Sequence, residues 1–210
     1  MIAAVRADAR AGCARPAAPL PALLLLLALL AGCASAPRMD SGQWRALAPG
    51  DEPARVDAFR VSGRLAVSNG RDGGSAGFLW IQDGDRFEVE LRQPVSQRTW
   101  RLRGDSGGAV LEGDPSGARR ADSAEQLLSE ALGWTVPVQA LVRWVRGLPG
   151  AGDAGAGERD DDGRLLRLEQ DGWQVDYRGW HEDGPWPTRI HARQPPYSVR
   201  LNIQDWAVRR

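Results

Sequence analysis

From Phe59 onward, apolar and polar side chains alternate with a period of two. Phe59, Val61, Gly63, Leu65 and Val67 share one face, while Arg60, Ser62, Arg64 and Ser68 share the other, as in a strand with one dry and one wet side. The run Asn69-Gly70-Arg71-Asp72-Gly73-Gly74 is turn material and leads to a second strand around Phe78 to Gln82. Phe87, Val89 and Leu91 alternate with Arg86, Glu88, Glu90 and Arg92 in a third. Gln93-Pro94-Val95-Ser96 interrupts the pattern, Arg98 to Arg103 resumes it with Trp100 and Leu102 on one face, and Val110 and Leu111 predict a further short strand.

The period changes after Ala121. Asp122 or Ser123 can cap a helix, with Glu125 placed to support its first turn, and Leu127, Leu128, Ala131 and Leu132 form its apolar stripe. A second helix is expected from Pro137, carrying Val138, Leu141, Val142 and Val145 until Gly147-Leu148-Pro149-Gly150 stops it. Gly150 to Gly163, rich in Gly, Ala and Asp, reads as a solvated loop. Strands return at Leu165 to Gln170, Trp173 to Arg178, Arg189 to Arg193 and Tyr197 to Ile203, the last followed by Trp206. About nine or ten strands, broken once by a helical pair and without βαβ alternation, predict an antiparallel α+β fold. A strongly curved sheet with helices across one mouth satisfies the pattern and leaves room for an apolar site between them.

The N-terminus follows a different logic. Arg6, Arg10 and Arg15 precede an apolar stretch from Leu20 to Leu30 that ends in small residues, the layout of a secretory signal and about half the length of a bilayer-spanning helix. Its ending, Leu30-Ala31-Gly32-Cys33, is a lipobox. Residues 1–32 are therefore expected to be cleaved and Cys33 to carry lipid, with Ala34 absent the aspartate of an inner-membrane retention signal. A tether rich in Ser, Gly and Pro follows to residue 53, where Trp44 is expected to begin a short helical turn, and one domain spans 54–210. The other cysteine, Cys13, lies in the segment to be removed, which excludes a disulfide or a cysteine metal site from the remaining 178 residues. Their charge is nearly balanced, 24 Arg against 26 Asp and Glu, so nucleic acid is not an expected partner.

Candidate chemistry is sparse. Gly73-Gly74-Ser75-Ala76-Gly77 matches a hydrolase nucleophile elbow in letters, but a strand follows it where a helix is needed. His181 and His191 are the two possible bases. Asp160-Asp161-Asp162 lacks the ligand spacing of a calcium loop. All 27 basic residues are arginine, and they alternate with apolar residues as the wet face of a sheet would. Nine tryptophans, eight of them from Trp80 onward and spread across almost every element, supply bulk for a core and for a pocket wall. Pro94-Val95-Ser96 stands out because an apolar residue at a strand-to-strand connection either tucks back onto its own hairpin or points outward, toward a bilayer or an acyl chain.

Taken in order, these residues resemble the LolB family of outer-membrane lipoprotein receptors. The similarity runs through the lipobox and Trp44, Phe59-Arg60-Val61-Ser62-Gly63-Arg64-Leu65-Ala66-Val67, Trp80-Ile81-Gln82, Ala124-Glu125-Gln126-Leu127-Leu128, Gly133-Trp134, Val136-Pro137-Val138, Trp144-Val145-Arg146-Gly147-Leu148-Pro149 and Gln170-Asp171-Gly172-Trp173. The resemblance implies an incomplete antiparallel barrel with a helical lid over a hydrophobic cavity, no catalysis and no cofactor or metal. It implies a monomer, lipid-anchored at the outer membrane and facing the periplasm, that takes acylated lipoproteins from the soluble carrier LolA and places them in the inner leaflet. Residues expected along the cavity are Trp80, Phe87, Val89, Leu91, Trp100, Leu127, Leu128, Leu132, Leu141, Trp144, Val145 and Trp173. Pro94, Val95 and Ser96 match the family's membrane-inserting loop, with Val95 where a leucine and Ser96 where a glycine is usual. The competing readings are a lipid-anchored structural module of the envelope and a lipid hydrolase built on Ser75.

Overall fold

The structure, a computed structural model, describes residues 43–94, 98–151 and 157–209. Its strands are β1 (Arg45–Ala46), β2 (Ala58–Ser68), β3 (Gly73–Asp83), β4 (Arg86–Arg92), β5 (Thr99–Asp105), β6 (Gly108–Glu112), β7 (Arg119–Ala121), β8 (Gly157–Arg159), β9 (Leu165–Gln170), β10 (Trp173–Trp180), β11 (Pro187–Gln194) and β12 (Tyr197–Arg209). Two helices, α1 (Ala124–Leu132) and α2 (Val138–Trp144), lie between β7 and β8 in the chain. The strands form one sheet in the order β7-β6-β5-β4-β3-β2-β12-β11-β10-β9-β8, with β1 added at the far end of β12. Every pairing is antiparallel, and among the described residues β7 and β8 remain as open edges. The fold is thus an incomplete barrel with a helical lid.

Alternation builds the dry face. Cross-strand partners of Phe59, Val61 and Leu65 are Gln82, Trp80 and Ala76 on β3 and Val208, Trp206 and Leu201 on β12. Two irregularities change the count. On β12 the register shifts between Ile203 and Asp205, so inward positions run Val199, Leu201, Ile203 and then Trp206, Val208. At that bulge the Asn202 carbonyl presses so close to Gly63 that a Cβ there would lie 2.1 Å from the oxygen, which is why the dry face of β2 carries a glycine. A second shift, around Gly179 on β10, returns Trp180 to the core side.

Local chemistry sets the helix ends. Ser123 accepts a hydrogen bond from the Gln126 N–H (3.1 Å) as N-cap of α1, and Gly133, at φ 76°, ends it in the left-handed region. The Glu125 carboxylate also accepts the Gln139 N–H (3.1 Å), so α1 caps the first turn of α2.

Three expectations are corrected and one unforeseen strand is added. Gly73 to Gly77 belong to β3, because they pair with Arg64 to Ser68, and the turn is confined to Asn69–Asp72. Trp44 leads into strand β1, which pairs with β12, and starts no helical turn. Within the expected loop after Gly150, residues 157–159 form β8 by pairing with β9, while 152–156 lie outside the described residues. Arg119–Ala121, with no apolar alternation to announce it, becomes β7 by pairing with β6.

Candidate functional site

The inward face is not uniform from one end of the sheet to the other. Along β2, Phe59 and Val61 are sealed from solvent, whereas Leu65 and Val67 are half-buried. The same gradient runs from Phe87 to Val89 and Leu91 on β4, and from Leu102 to Trp100 on β5. Register sets these positions side by side at one end: Leu91 faces half-buried Trp100 and buried Phe78, and Leu65 faces half-buried Ala76 and buried Leu201. This is the end at which the β2–β3, β4–β5, β9–β10 and β11–β12 connections lie. The sheet therefore has a packed end and an apolar mouth.

The packed end is held by a cluster of aromatic rings. Phe59 lies between Trp80 (5.9 Å) and Trp206 (5.7 Å), and Trp206 meets Trp186 (4.9 Å). Indole N–H groups of Trp80, Trp186 and Trp206 donate to the Gln82 side chain (3.0 Å), the Asp51 carbonyl (3.1 Å) and the Pro187 carbonyl (3.0 Å).

The lid is fixed at both ends. Helix α1 rests on β5–β7 through Leu127, which is fully buried. At the C-terminal end of α2, the Trp144 indole donates to Gln170 (3.1 Å) and the Trp144 carbonyl accepts the Tyr177 hydroxyl (3.1 Å). Burial drives the Tyr177 pKa well above its ordinary value, so this phenol stays a donor throughout the physiological range. The Arg146 guanidinium, itself buried, donates to the carbonyls of Pro53 (3.2 Å) and Val56 (2.6 Å) and lies 5.7 Å from the Phe59 ring. The α1–α2 connection reaches the mouth, where Trp134 stacks on Tyr197 (4.9 Å, 12°) and touches Trp173 (6.1 Å). Leu128, Leu141 and Val142 of the lid are half-buried against the core, and Leu132 is 41% exposed.

Of the residues expected along a cavity, Trp80, Phe87, Leu127, Trp144, Val145 and Trp173 are packed in the core, Val89, Leu91, Trp100, Leu128 and Leu141 are half-buried, and Leu132 is exposed. Pro94 is exposed at the end of β4, where the Gln93 N–H donates to the Arg98 carbonyl (2.9 Å) at the base of the hairpin. Cys33, Val95 and Ser96 lie outside the described residues. Sequence reasoning missed Leu65, Val67, Tyr197 and Trp134 at the mouth; alternation puts the first two on the dry face without telling which end of the strand is open.

The outward face carries the arginines, as their alternation implies. Arg101 bonds Glu88 (3.1 Å) and Glu90 (2.8 Å), Arg103 bonds Glu112 (2.7 Å), and Asp176 takes Arg167 (2.9 Å) and Arg193 (2.5 Å). Burial raises the Asp176 pKa, but hydrogen bonds from Arg167 and Gln174 and the neighbouring arginine charges outweigh it and hold the carboxyl below its usual range. Ser75 shares this outer face with His191, but β2 and β12 lie between their strands, which places them about 14 Å apart at ~4.8 Å per strand. His181 accepts the Asp183 N–H through Nδ1 (3.2 Å). Ser75 has no histidine within reach to activate it. No group of His, Cys, Asp and Glu among the described residues is arranged to hold a metal ion.

The described residues thus combine an apolar mouth with a helical lid. A crystal structure of LolA superfamily protein NE2245 from Nitrosomonas europaea matches with a TM-score of 0.46 and 12% identity over 74% of this chain and 88% of its own, a likeness too distant to bear on function. Outer-membrane lipoprotein LolB of Xanthomonas campestris pv. campestris (strain 8004) is 40% identical over 205 residues, 88% of this chain and 94% of its own. The protein of that name from Pseudomonas putida (strain GB-1) is 38% identical over 193 residues, 88% of this chain and 93% of its own. Residues 57–206 match the family model for outer membrane lipoprotein LolB. The chain belongs to the LolB family. As a LolB-family protein it is an outer-membrane lipoprotein receptor facing the periplasm, and its role is traffic, not catalysis. None of its described helices is long and apolar enough to cross a membrane.

Proposed function

We propose that this LolB-family chain takes lipoproteins from the periplasmic carrier LolA, shelters their acyl chains at the mouth, and releases them into the inner leaflet of the outer membrane. Residues 1–32 are removed, Cys33 carries the lipid that holds the receptor there, and Val95, which lies between β4 and β5 in the chain, enters the bilayer. The observation that carries the reading is the inward gradient from sealed to half-buried apolar residues, with the half-buried set of Leu65, Val67, Leu91 and Trp100 at the hairpin's own end of the sheet. In the lid, Leu128 and Leu141 are likewise half-buried and Leu132 is exposed.

The physics suits a passive exchange. Each methylene withdrawn from water contributes about 0.8 kcal/mol, so a chain of about fifteen would need about 12 kcal/mol to cross the periplasm bare. A mouth that covers part of that length makes the intermediate tolerable, and the bilayer, which covers all of it, makes release downhill. No nucleotide is required.

The test is delivery of a labelled triacylated lipoprotein from loaded carrier to vesicles. Val95→Asp is expected to leave cargo acceptance intact and to block its arrival in the vesicles. Delivery at the wild-type rate would favour a structural module of the envelope, in which the hairpin tip is dispensable.

A further inference from the structure

The outward face is electrostatically lopsided. On β4, β5 and β6 the arginines are matched by carboxylates: Arg92 by Glu90 (2.6 Å), Arg101 by Glu88 and Glu90, and Arg103 by Glu112. On β2, β12, β11 and β10 the balance is different. Arg64, Asn202 and Arg189 form one cross-strand row, and Ala66, Arg200, His191 and Asp176 form the next. Arg193 and Arg178 border these rows, both reaching the same carboxylate, Asp176 (2.5 and 3.8 Å). Five arginines of these four strands thus stand around Asp176, which Arg167 of β9 also bonds (2.9 Å), with two further acids at the margins: Glu169 of β9, across Gln174 from Arg193, and Asp205, hydrogen-bonded by Ser62 (3.1 Å). His191, beneath them, has its pKa pushed down by burial and by Arg200, Arg193 and Arg178, as expected where positive charge is in excess.

We propose that this face, centred on Arg64, Arg189 and Arg200, is a docking surface for the anionic phosphate headgroups of the bilayer to which the chain is anchored. Three features favour a lipid surface over a protein. All of the cations are arginine, whose planar fork matches phosphate oxygens. The positions between them are small or polar (Ser75, Ala66, Gly77, Ser198, Asn202), so the area offers no aromatic or aliphatic anchor of the kind that dominates protein interfaces. The first described strand also lies beside β12, since β1 pairs with Val208 and Ala207, and the twelve residues from Cys33 to Arg45 can span at most about 40 Å. A membrane is therefore always within reach of this strand, and tethering raises its effective concentration. The proposal rests on the lipid-anchored reading above and adds an orientation to it, with β12 lying toward the bilayer.

The mature chain carrying Cys33→Ser, which leaves no acyl group to mask weak binding, is mixed with vesicles of phosphatidylcholine alone or with about 30 mol per cent phosphatidylglycerol. Co-sedimentation should show binding at least about tenfold tighter to the anionic vesicles, weakening as salt screens the charges. Replacing Arg64, Arg189 and Arg200 together by Gln should weaken it about a hundredfold, about fivefold for each arginine. Arg103→Gln, on the neutralised side, should leave it unchanged, and unaltered circular dichroism confirms that each variant is folded. Equal binding to both vesicle types, or equal loss in Arg103→Gln, would overturn the proposal. Val95→Asp separates the two membrane contacts. If it abolishes binding while the triple variant binds normally, the hairpin alone makes the contact and the arginine face does not. If the triple variant binds vesicles normally but fails to take cargo from the carrier, the face serves a protein and the lipid assignment is wrong.

Discussion

Arg146→Met removes the charge that ties the lid to the packed end of the sheet. The Arg146 guanidinium donates to the carbonyls of Pro53 and Val56, and its Nε–H donates to that of Val142 (3.2 Å). Methionine keeps most of the aliphatic length against Phe59 but removes the guanidinium donor from three carbonyls, of which Pro53's keeps only the Val56 N–H (3.4 Å). Hydrogen bonds from a charged donor contribute about 1.5–3 kcal/mol each, and relief of the buried guanidinium's desolvation offsets part of that loss, so a net cost of about 3 kcal/mol is expected. For a domain of this size 1 kcal/mol corresponds to about 2–4 °C, which gives a fall in Tm of about 6–12 °C. Urea unfolding followed by tryptophan fluorescence measures it, with Arg146→Lys as a partial rescue through one retained donor. A loss below about 1 kcal/mol would refute the reasoning, since it would mean that water or a rearranged strap satisfies those carbonyls at no cost.

Other outcomes follow from the same geometry. Phe87→Ala, in the packed end, should cost about 3–5 kcal/mol, whereas Trp100→Ala at the mouth should cost about 1–2 kcal/mol yet reduce acyl-chain binding about tenfold; similar effects of both on stability and binding would contradict the division into packed end and mouth. His191, held neutral by burial and the nearby arginines, binds protons less readily folded than unfolded, so its contribution is complete above pH 6.5 and is lost as pH falls from there through its lower folded pKa. His191→Gln, still able to accept the Arg200 Nε–H, should flatten the fall in Tm over that window, and an unchanged profile would place the titration elsewhere. Ser75→Ala should leave delivery unaffected, and any loss beyond about twofold would revive a role for that hydroxyl.

What could be read from sequence is what local physics determines. The alternation from Phe59 to Val67 is a strand because its dry side packs on Trp80 and Trp206, and Ser123 and Gly133 bound α1 because they cap it. What escaped depends on pairing. The β12 bulge reverses the parity of Trp206 and Val208, so their burial cannot be counted from Val199. β8 exists because β9 is beside it, not because Gly157–Arg159 favours extension. The mouth is hardest of all, since Leu65 and Phe59 share one face and one pattern, and only the lid and the neighbouring strands decide which of them stays half-open. Arg146 was visible within the Trp144 to Pro149 motif, yet nothing local shows that it points at carbonyls some 90 residues earlier in the chain.

Handover of cargo tests the central claim most directly. Carrier loaded with a radiolabelled triacylated lipoprotein is mixed with the mature chain bearing Cys33→Ser, and the two are separated by size and affinity without any membrane present. The mouth predicts that the label moves to this chain in about equimolar amount, and that Leu91→Asp together with Trp100→Asp prevents the move while the protein stays folded. Label that remains on the carrier, with a wild-type chain shown to be folded, would contradict the account.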